Sequence, residues 1–386
     1  MLYEGSRGRE RISTSGNTIR ILQSFQIKTK RSHFNDWHRT IEMTAAPSSN
    51  TNSNDSFSFA EILALNDDDQ VKQDPVKVLS SDGMELAVFI YEPPAATVTK
   101  KYKDNKNTAL VFYHGGGAHA GAGYQSMARG LAEKFGITVY LPDLRGHGAS
   151  GGARGDAPSK EQVWRDIDTV LEFVAAKHDA SSSRIFLGGH SSGGGLVVNY
   201  ATAAQEGITA TTRTAPSVAS ILHNIEGYVL VSPELGYSSG TARPNRTDFA
   251  AVNVLAFIAN GIFGWLGHSK AVKFNYPPEL LKADKGMVGF NTVNMANAIT
   301  PDSPVEQMQA MGKNPNDVDS DDVARKPIGL WVGSNDELFV AEKVVELVPK
   351  KDHDNDNIIG EILPGKNHLG ILVGVHEHIG PWITKL

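Results

Sequence analysis

The chain has 386 residues, enough for one large domain or two ordinary ones. Its 37 Lys and Arg against 43 Asp and Glu give a formal net charge of -6, which argues against a general attraction to nucleic acid. There is no cysteine, so disulfides, thiolate metal sites and a cysteine nucleophile are excluded.

Residues 1–42 are rich in Arg, Lys, Ser and Thr, and no apolar run follows the basic residues, so they do not read as a secretory signal. We read them as a disordered tail, with Met43 as an alternative start. Organellar targeting is the competing reading, and Glu4, Glu10 and Asp36 count against it. The expected location is intracellular, in the cytoplasm. Residues 44–58 carry too little apolar area to fold. Phe59 to Leu65 predicts a short helix, ended by Asn66-Asp67-Asp68-Asp69, and the folded part is expected to begin near Asp74, leaving 1–73 as the tail.

From there the elements alternate. Val76 to Leu79 and Met84 to Tyr91 predict two strands around the turn Ser81-Asp82-Gly83. Lys100 to Asn107 is a charged loop. Thr108 to Tyr113 predicts a buried strand that runs straight into His114-Gly115-Gly116-Gly117. A helix over Tyr124 to Phe135, a strand over Thr138 to Leu141 and an amphipathic helix over Glu161 to His178 follow; Val163, Ile167, Val170, Leu171 and Val174 share one face of the last. Ile185 to Leu187 and Tyr228 to Ser232 are further strands. Such alternation predicts a mostly parallel α/β sheet. It stops between Tyr237 and Arg325, then resumes with Ile328 to Val332, a helix near Ala341 to Val348 and a strand over Ile358 to Leu363. The expected organisation is a core over 74–236 and 326–386 with a helical cap inserted at 237–325.

The stretch that carries chemistry is Gly189-His190-Ser191-Ser192-Gly193. Strand residues precede it and a helical run from Leu196 follows, which is the context of a nucleophile elbow. Where a strand turns sharply into a helix, a side chain two places either side of the serine would clash, hence the glycines. The serine sits at the strained tip with its hydroxyl projecting. An ordinary Gly-rich connection is the bland alternative.

A serine hydroxyl needs a base to take its proton and a carboxylate to orient that base. In an elbow protein the chain order is Ser, acid, His. Asp336 follows the strand ending at Trp331-Val332-Gly333, with Glu337 as the reserve acid, and His368 follows the strand ending at Leu363. Singly, Asp336 reads as a helix N-cap and His368 as a surface histidine. Order and placement together favour the triad Ser191, Asp336 and His368. The oxyanion hole needs two N–H donors. Ser192 is placed to supply one and Gly116 the other, each contributing about 3 kcal/mol to the transition state. His114 reads as a buried turn residue that holds the loop. This chemistry needs no cofactor and no metal.

The cap contains an apolar run, Ala250 to Leu266, which invites a membrane-span reading. Asn253, Asn260, Gly261 and Gly264 weaken it, and a span there would separate Ser191 from the C-terminal third. We expect a cap helix over the cleft, with Phe257, Phe263 and Trp265 lining an apolar substrate channel and the cap offering a peripheral contact to membranes. Asp352, Asp354 and Asp356 alternate as in a calcium loop, but Asn357 and Leu363 occupy the glycine and glutamate positions, so an EF-hand fails. Arg154-Gly155-Asp156 reads as plain loop, His376-Glu377-His378 as a solvated face, and Asn245-Arg246-Thr247 as a glycosylation pattern relevant only to a secreted chain.

From Asp74 onward the chain resembles the α/β-hydrolase superfamily, most closely the branch of monoacylglycerol lipases, lysophospholipases and serine aminopeptidases. The carriers are His114-Gly115, Asp143-Leu144-Arg145-Gly146-His147-Gly148-Ala149-Ser150, Gly189 to Gly194, Gly333 with Asp336, and His368. The resemblance implies Ser191 as nucleophile, Asp336 and His368 as its partners, Gly116 and Ser192 as oxyanion donors, and Asp143 and Arg145 as braces of the active-site loops. It implies a serine hydrolase acting on a small-molecule carboxylic ester, lipid-like, of monoacylglycerol or lysophospholipid type. A thioesterase, a peptidase, and a non-catalytic ligand-binding protein on the same fold are the alternatives.

Overall fold

The computed structural model describes residues 74–94, 107–178, 183–203, 225–244, 249–313, 325–349 and 357–386. The tail expected at 1–73, the helix expected at Phe59 to Leu65, most of the loop at 100–107, the Asn245 to Thr247 pattern and the aspartates 352, 354 and 356 fall outside those residues. All the described residues belong to one unit, Asp55–Leu386.

In chain order the core elements are β1 (Val76–Leu79), β2 (Glu85–Tyr91), β3 (Thr108–Tyr113), α1 (Tyr124–Phe135), β4 (Thr138–Pro142), α2 (Lys160–Lys177), β5 (Arg184–His190), α3 (Ser192–Ala203) and β6 (Ile225–Val231). An insertion follows, with β7 (Ala250–Val252), α4 (Val254–Phe263), β8 (Lys270–Phe274), α5 (Pro278–Ala283), β9 (Phe290–Thr292), α6 (Val293–Ile299) and α7 (Pro304–Ala310). The core resumes with β10 (Ile328–Gly333), α8 (Ala341–Glu346), β11 (Ile358–Leu363) and α9 (His376–Lys385).

The described strands form an eight-stranded sheet in the order β1-β2-β4-β3-β5-β6-β10-β11. Only β1 with β2 and β2 with β4 pair antiparallel; the remaining neighbours are parallel. Side chains alternate across a strand, and here both faces are covered. Val111, Ile185, Leu187, Leu230, Leu330 and Val332 join one apolar cluster with α2 and α3. Leu110, Phe112, Phe186, Val229 and Trp331 join the other with α1 and α9. Burial on both sides explains why these strands read as continuous apolar runs. The strand order sets β5 beside β3 and only β6 between β5 and β10, and the parallel pairing brings their C-terminal ends to one edge.

Two expectations change. The apolar run Ala250 to Leu266 is a short strand followed by a ten-residue helix, because Asn253 caps α4 through its side chain and Gly264, in the left-handed region at φ 73°, ends it. No helix among the described residues is long and apolar enough to cross a membrane. The insertion is also not purely helical, since β7, β8 and β9 form an antiparallel sheet of their own. His376-Glu377-His378 opens α9 with Glu377 on the solvated face, as expected, while His376 turns onto α1, where a Cβ at Gly130 would meet its ring at 2.4 Å.

Candidate active site

Ser191 lies between β5 and α3 with φ 54°. Only it and Ser232 among the described non-glycine residues adopt positive φ. Such a backbone costs about 1–3 kcal/mol and persists only where its surroundings over-determine it. Here Ser191 N–H donates to Val231 O (3.0 Å), and Ser191 O accepts from Gly194, Gly195 and Glu234 N–H at 2.9, 3.1 and 2.8 Å. A Cβ at Gly189 would stand 2.3 Å from the Gly193 backbone, and one at Gly193 would stand 2.3 Å from Tyr113 O. Gly189 is therefore required by the close approach of the elbow's two arms, and Gly193 by its packing on the end of β3.

His368 is buried in the loop after β11, and its Nδ1–H donates to Asp336 Oδ2 at 2.8 Å. That bond leaves Nε2 as the acceptor nitrogen. Asp336 is fully buried at the tip of β10; its Oδ1 accepts from Leu338 and Phe339 N–H at 2.9 and 3.0 Å. Oδ1 of Asp336 thus caps the turn, as the N-cap reading expects, while Oδ2 meets the imidazole. Burial alone would raise the Asp336 pKa, but the His368 charge and these three donors outweigh it and hold the carboxyl below its ordinary value. Burial likewise works against the His368 charge. The Asp336 carboxylate, with Glu337 and Glu234 behind it, overcomes that and raises the imidazole pKa above 6.5. Glu337, the reserve acid, engages the main chain instead, where its Oε2 accepts from His368 N–H at 2.9 Å.

Ser191, His368 and Gly116 line one cavity, with Gly115, Ala118, Tyr124, Phe249, Tyr276, Leu280, Met287 and Leu369 among the other walls. It measures about 490 Å³, counting space open to solvent. Gly115 N–H is spent on Tyr124 Oη (2.7 Å), which leaves Gly116 as the next donor in the loop. The plane of the peptide bearing Gly116 N–H is held from its other end. Gly115 O accepts from His114 Nδ1–H at 2.9 Å, while His114 Nε2 accepts from Leu144 N–H at 3.1 Å. Burial foremost pushes the His114 pKa well down, so this donor–acceptor pattern is that of a neutral ring. A Cβ at Gly116 would come within 2.9 Å of Ser192 Oγ, so the two expected oxyanion donors are neighbours.

The cap residues Phe257, Phe263 and Trp265 are not among the residues that line this cavity; Phe263 and Trp265 are 60% and 73% exposed. The roof comes from the segment that follows β8. Tyr276 Oη–H donates to Gly116 O at 2.7 Å, Val288 N–H donates to Gly117 O at 2.7 Å, and His119 Nε2–H donates to Asp284 Oδ2 at 2.7 Å. Arg154, read as plain loop, donates to Gly148, Lys285 and Gly286 carbonyls and so ties that roof to the loop after β4. Asp143 accepts from Ala120 and Ala149 N–H, each at 2.7 Å. Arg145 is clamped between Asp82 and Asp166. Both brace the loops around the site. No cluster of potential metal ligands occurs among the described residues.

The sequence profile described as serine aminopeptidase, S33 matches residues 104–353. The chain belongs to this family. This S33 chain is 37% identical over 94 residues to the monoacylglycerol lipase of Mycolicibacterium smegmatis, covering 24% of this chain and 31% of that one. It is 36% identical over 105 residues to protein phosphatase methylesterase 1 of Candida albicans, covering 26% and 27%. The first curated relatives are matched over only 11% to 31% of their length. A solved soluble variant of monoglyceride lipase from Saccharomyces cerevisiae, in complex with a substrate analogue, superposes with a TM-score of 0.56 at 16% identity, covering 82% of this chain and 97% of that one. The fold is that of the α/β-hydrolases, in the branch that holds monoacylglycerol lipases and S33 aminopeptidases.

Proposed function

We propose that this S33 chain is a serine hydrolase that cleaves a carboxylic ester through an acyl-enzyme on Ser191. The observation that carries the reading is the buried His368–Asp336 pair opening onto the same cavity as the strained Ser191. Ser191 Oγ attacks the ester carbonyl carbon and passes its proton to His368 Nε2. Asp336 fixes the ring tautomer and stabilises the imidazolium. Gly116 and Ser192 N–H receive the charge that develops on the carbonyl oxygen. Collapse expels the alcohol, which takes the proton from His368, and water then repeats the sequence on the acyl-enzyme. No cofactor enters these steps.

Phe249, Leu280, Met287 and Leu369 make the cavity wall predominantly apolar, which suits an acyl chain. The likeness to a monoacylglycerol lipase supports a lipid-like ester. The uncharged helix α4, with Leu255, Ile262 and Phe263 exposed at 75%, 70% and 60%, offers a face to the lipid aggregates in which such esters reside. A fluorophosphonate should label the wild-type protein and not Ser191→Ala, and a panel of esters of increasing acyl length should show turnover. Folded wild-type protein that neither reacts with the probe nor turns over any ester refutes the reading.

A further inference from the structure

Four buried groups form one directed chain of hydrogen bonds across the site. His190 Nε2 lies 2.9 Å from the backbone carbonyl of His368, which can only accept, so Nε2 carries the proton. A neutral ring with Nε2–H has Nδ1 as acceptor. Tyr124 Oη, 2.9 Å from that Nδ1, must therefore donate to it. Its oxygen is then left to accept from Gly115 N–H, at 2.7 Å. Every polarity follows from the last carbonyl, and no member can reverse without breaking a bond.

The chain joins separate parts of the protein. Gly115 belongs to the loop after β3, Tyr124 is the first residue of α1, His190 ends β5 beside the elbow, and His368 sits in the loop after β11. Tyr124 and His190 are 2% and 1% exposed, and their rings lie 5.7 Å apart. The His190 ring is in turn 4.8 Å from that of His368.

We propose that Tyr124 and His190 are positioning residues that set the oxyanion loop and the loop of the base in register with each other. Resting on the serine-hydrolase reading, the inference gives the residue before the nucleophile a role of its own. Tyr124 consumes Gly115 N–H, so the loop has to present Gly116 N–H to substrate. His190 holds the main chain of His368, so the imidazole stays in place when it becomes charged. Burial, reinforced by the neighbouring His368, pushes the His190 pKa down to about 3, so the tautomer persists across the working range.

Tyr124→Phe deletes two bonds of the chain with little change of shape. The value of kcat/KM should fall about ten- to a hundred-fold, mostly in kcat. The affinity for a trifluoromethyl ketone, which engages the oxyanion donors, should fall by the same factor, while that for a non-hydrolysable ether analogue of the substrate should not change. His190→Gln keeps an N–H able to reach His368 O and should retain more activity than His190→Phe. A folded Tyr124→Phe with unchanged kcat/KM, or with lowered kcat/KM but unchanged ketone affinity, overturns the proposal. Nitrogen-15 spectra of the wild-type protein decide the point without a variant: His190 should show the Nε2–H tautomer and no titration between about pH 5 and 9. The Nδ1–H tautomer, or a titration in that window, overturns it as well. Wild-type protein without turnover or probe labelling would remove the hydrolase reading itself, an outcome distinct from an active enzyme indifferent to Tyr124.

Discussion

Replacing Gly116 by Ala places one methyl group where the site has no room. The new Cβ would lie 2.8 Å from two ring carbons of Phe274 and 2.9 Å from Ser192 Oγ. Ser192 Oγ can rotate away, but Phe274 is 5% exposed and packed against Phe249 and Tyr276, so the loop must give instead. Overpacking of this kind costs about 1–3 kcal/mol of stability. The catalytic cost is larger, because Gly116 N–H moves with its Cα. Loss of one oxyanion donor lowers kcat by about 10²–10³-fold. Steady-state kinetics on a soluble short-chain ester should show that fall with KM little changed, and a thermal melt should show the smaller stability loss. Adding Phe274→Ala removes both clashing ring carbons, so the double variant should recover part of the lost kcat. Full activity in Gly116→Ala would refute the donor assignment. A lost activity that Phe274→Ala leaves untouched would refute the steric account.

Two further predictions concern the base and the cap. His368 accepts a proton only when neutral, and its pKa is raised, so kcat/KM should fall as pH drops through a value above 6.5, and Asp336→Asn should move that limb to lower pH while reducing kcat by about 10⁴-fold; pH–rate profiles of both proteins check this, and an acid limb unmoved in the variant counts against the pairing. Ile262→Asp should weaken co-sedimentation with phosphatidylcholine vesicles while turnover of a soluble ester stays unchanged, because Ile262 is 70% exposed and does not line the cavity; equal vesicle binding by both proteins would deny α4 a lipid-facing role.

The parts legible in the sequence are those set by local periodicity and by order along the chain. Val111, Ile185 and Leu187 flanked by opposite-facing Leu110 and Phe186 announce strands buried on both sides. The positions of Ser191, Asp336 and His368 just past β5, β10 and β11 follow from that strand assignment. The roof is not legible. Tyr276 and Gly116 are 160 residues apart, and nothing near Tyr276 marks it as a donor to the oxyanion loop. In α4 the apolar residues occur all round the helix, so periodicity does not say which face, if any, is covered; this is why Phe257 and Phe263, like Trp265 just beyond the helix, are expected in a cavity that they do not line. Glu337 next to Asp336 offers two carboxylates in a row. Only the folded structure separates the one that meets the imidazole from the one that meets the main chain.

The bonds that fasten the segment 274–292 over the cavity include many that involve main-chain atoms. Val288 N–H meets Gly117 O, Thr292 N–H meets Gly155 O, Gly148 N–H meets Gly286 O, and Arg154 reaches only carbonyls there. Main-chain attachments are indifferent to which side chain each residue bears. Leu280 and Met287 can therefore be exchanged for larger or smaller groups while the peptide at Gly116 stays moored. On the proposed esterase reading, a protein built this way can change its diet without rebuilding its teeth: acyl-length preference would be a property of a few replaceable wall residues, separable from the proposed triad.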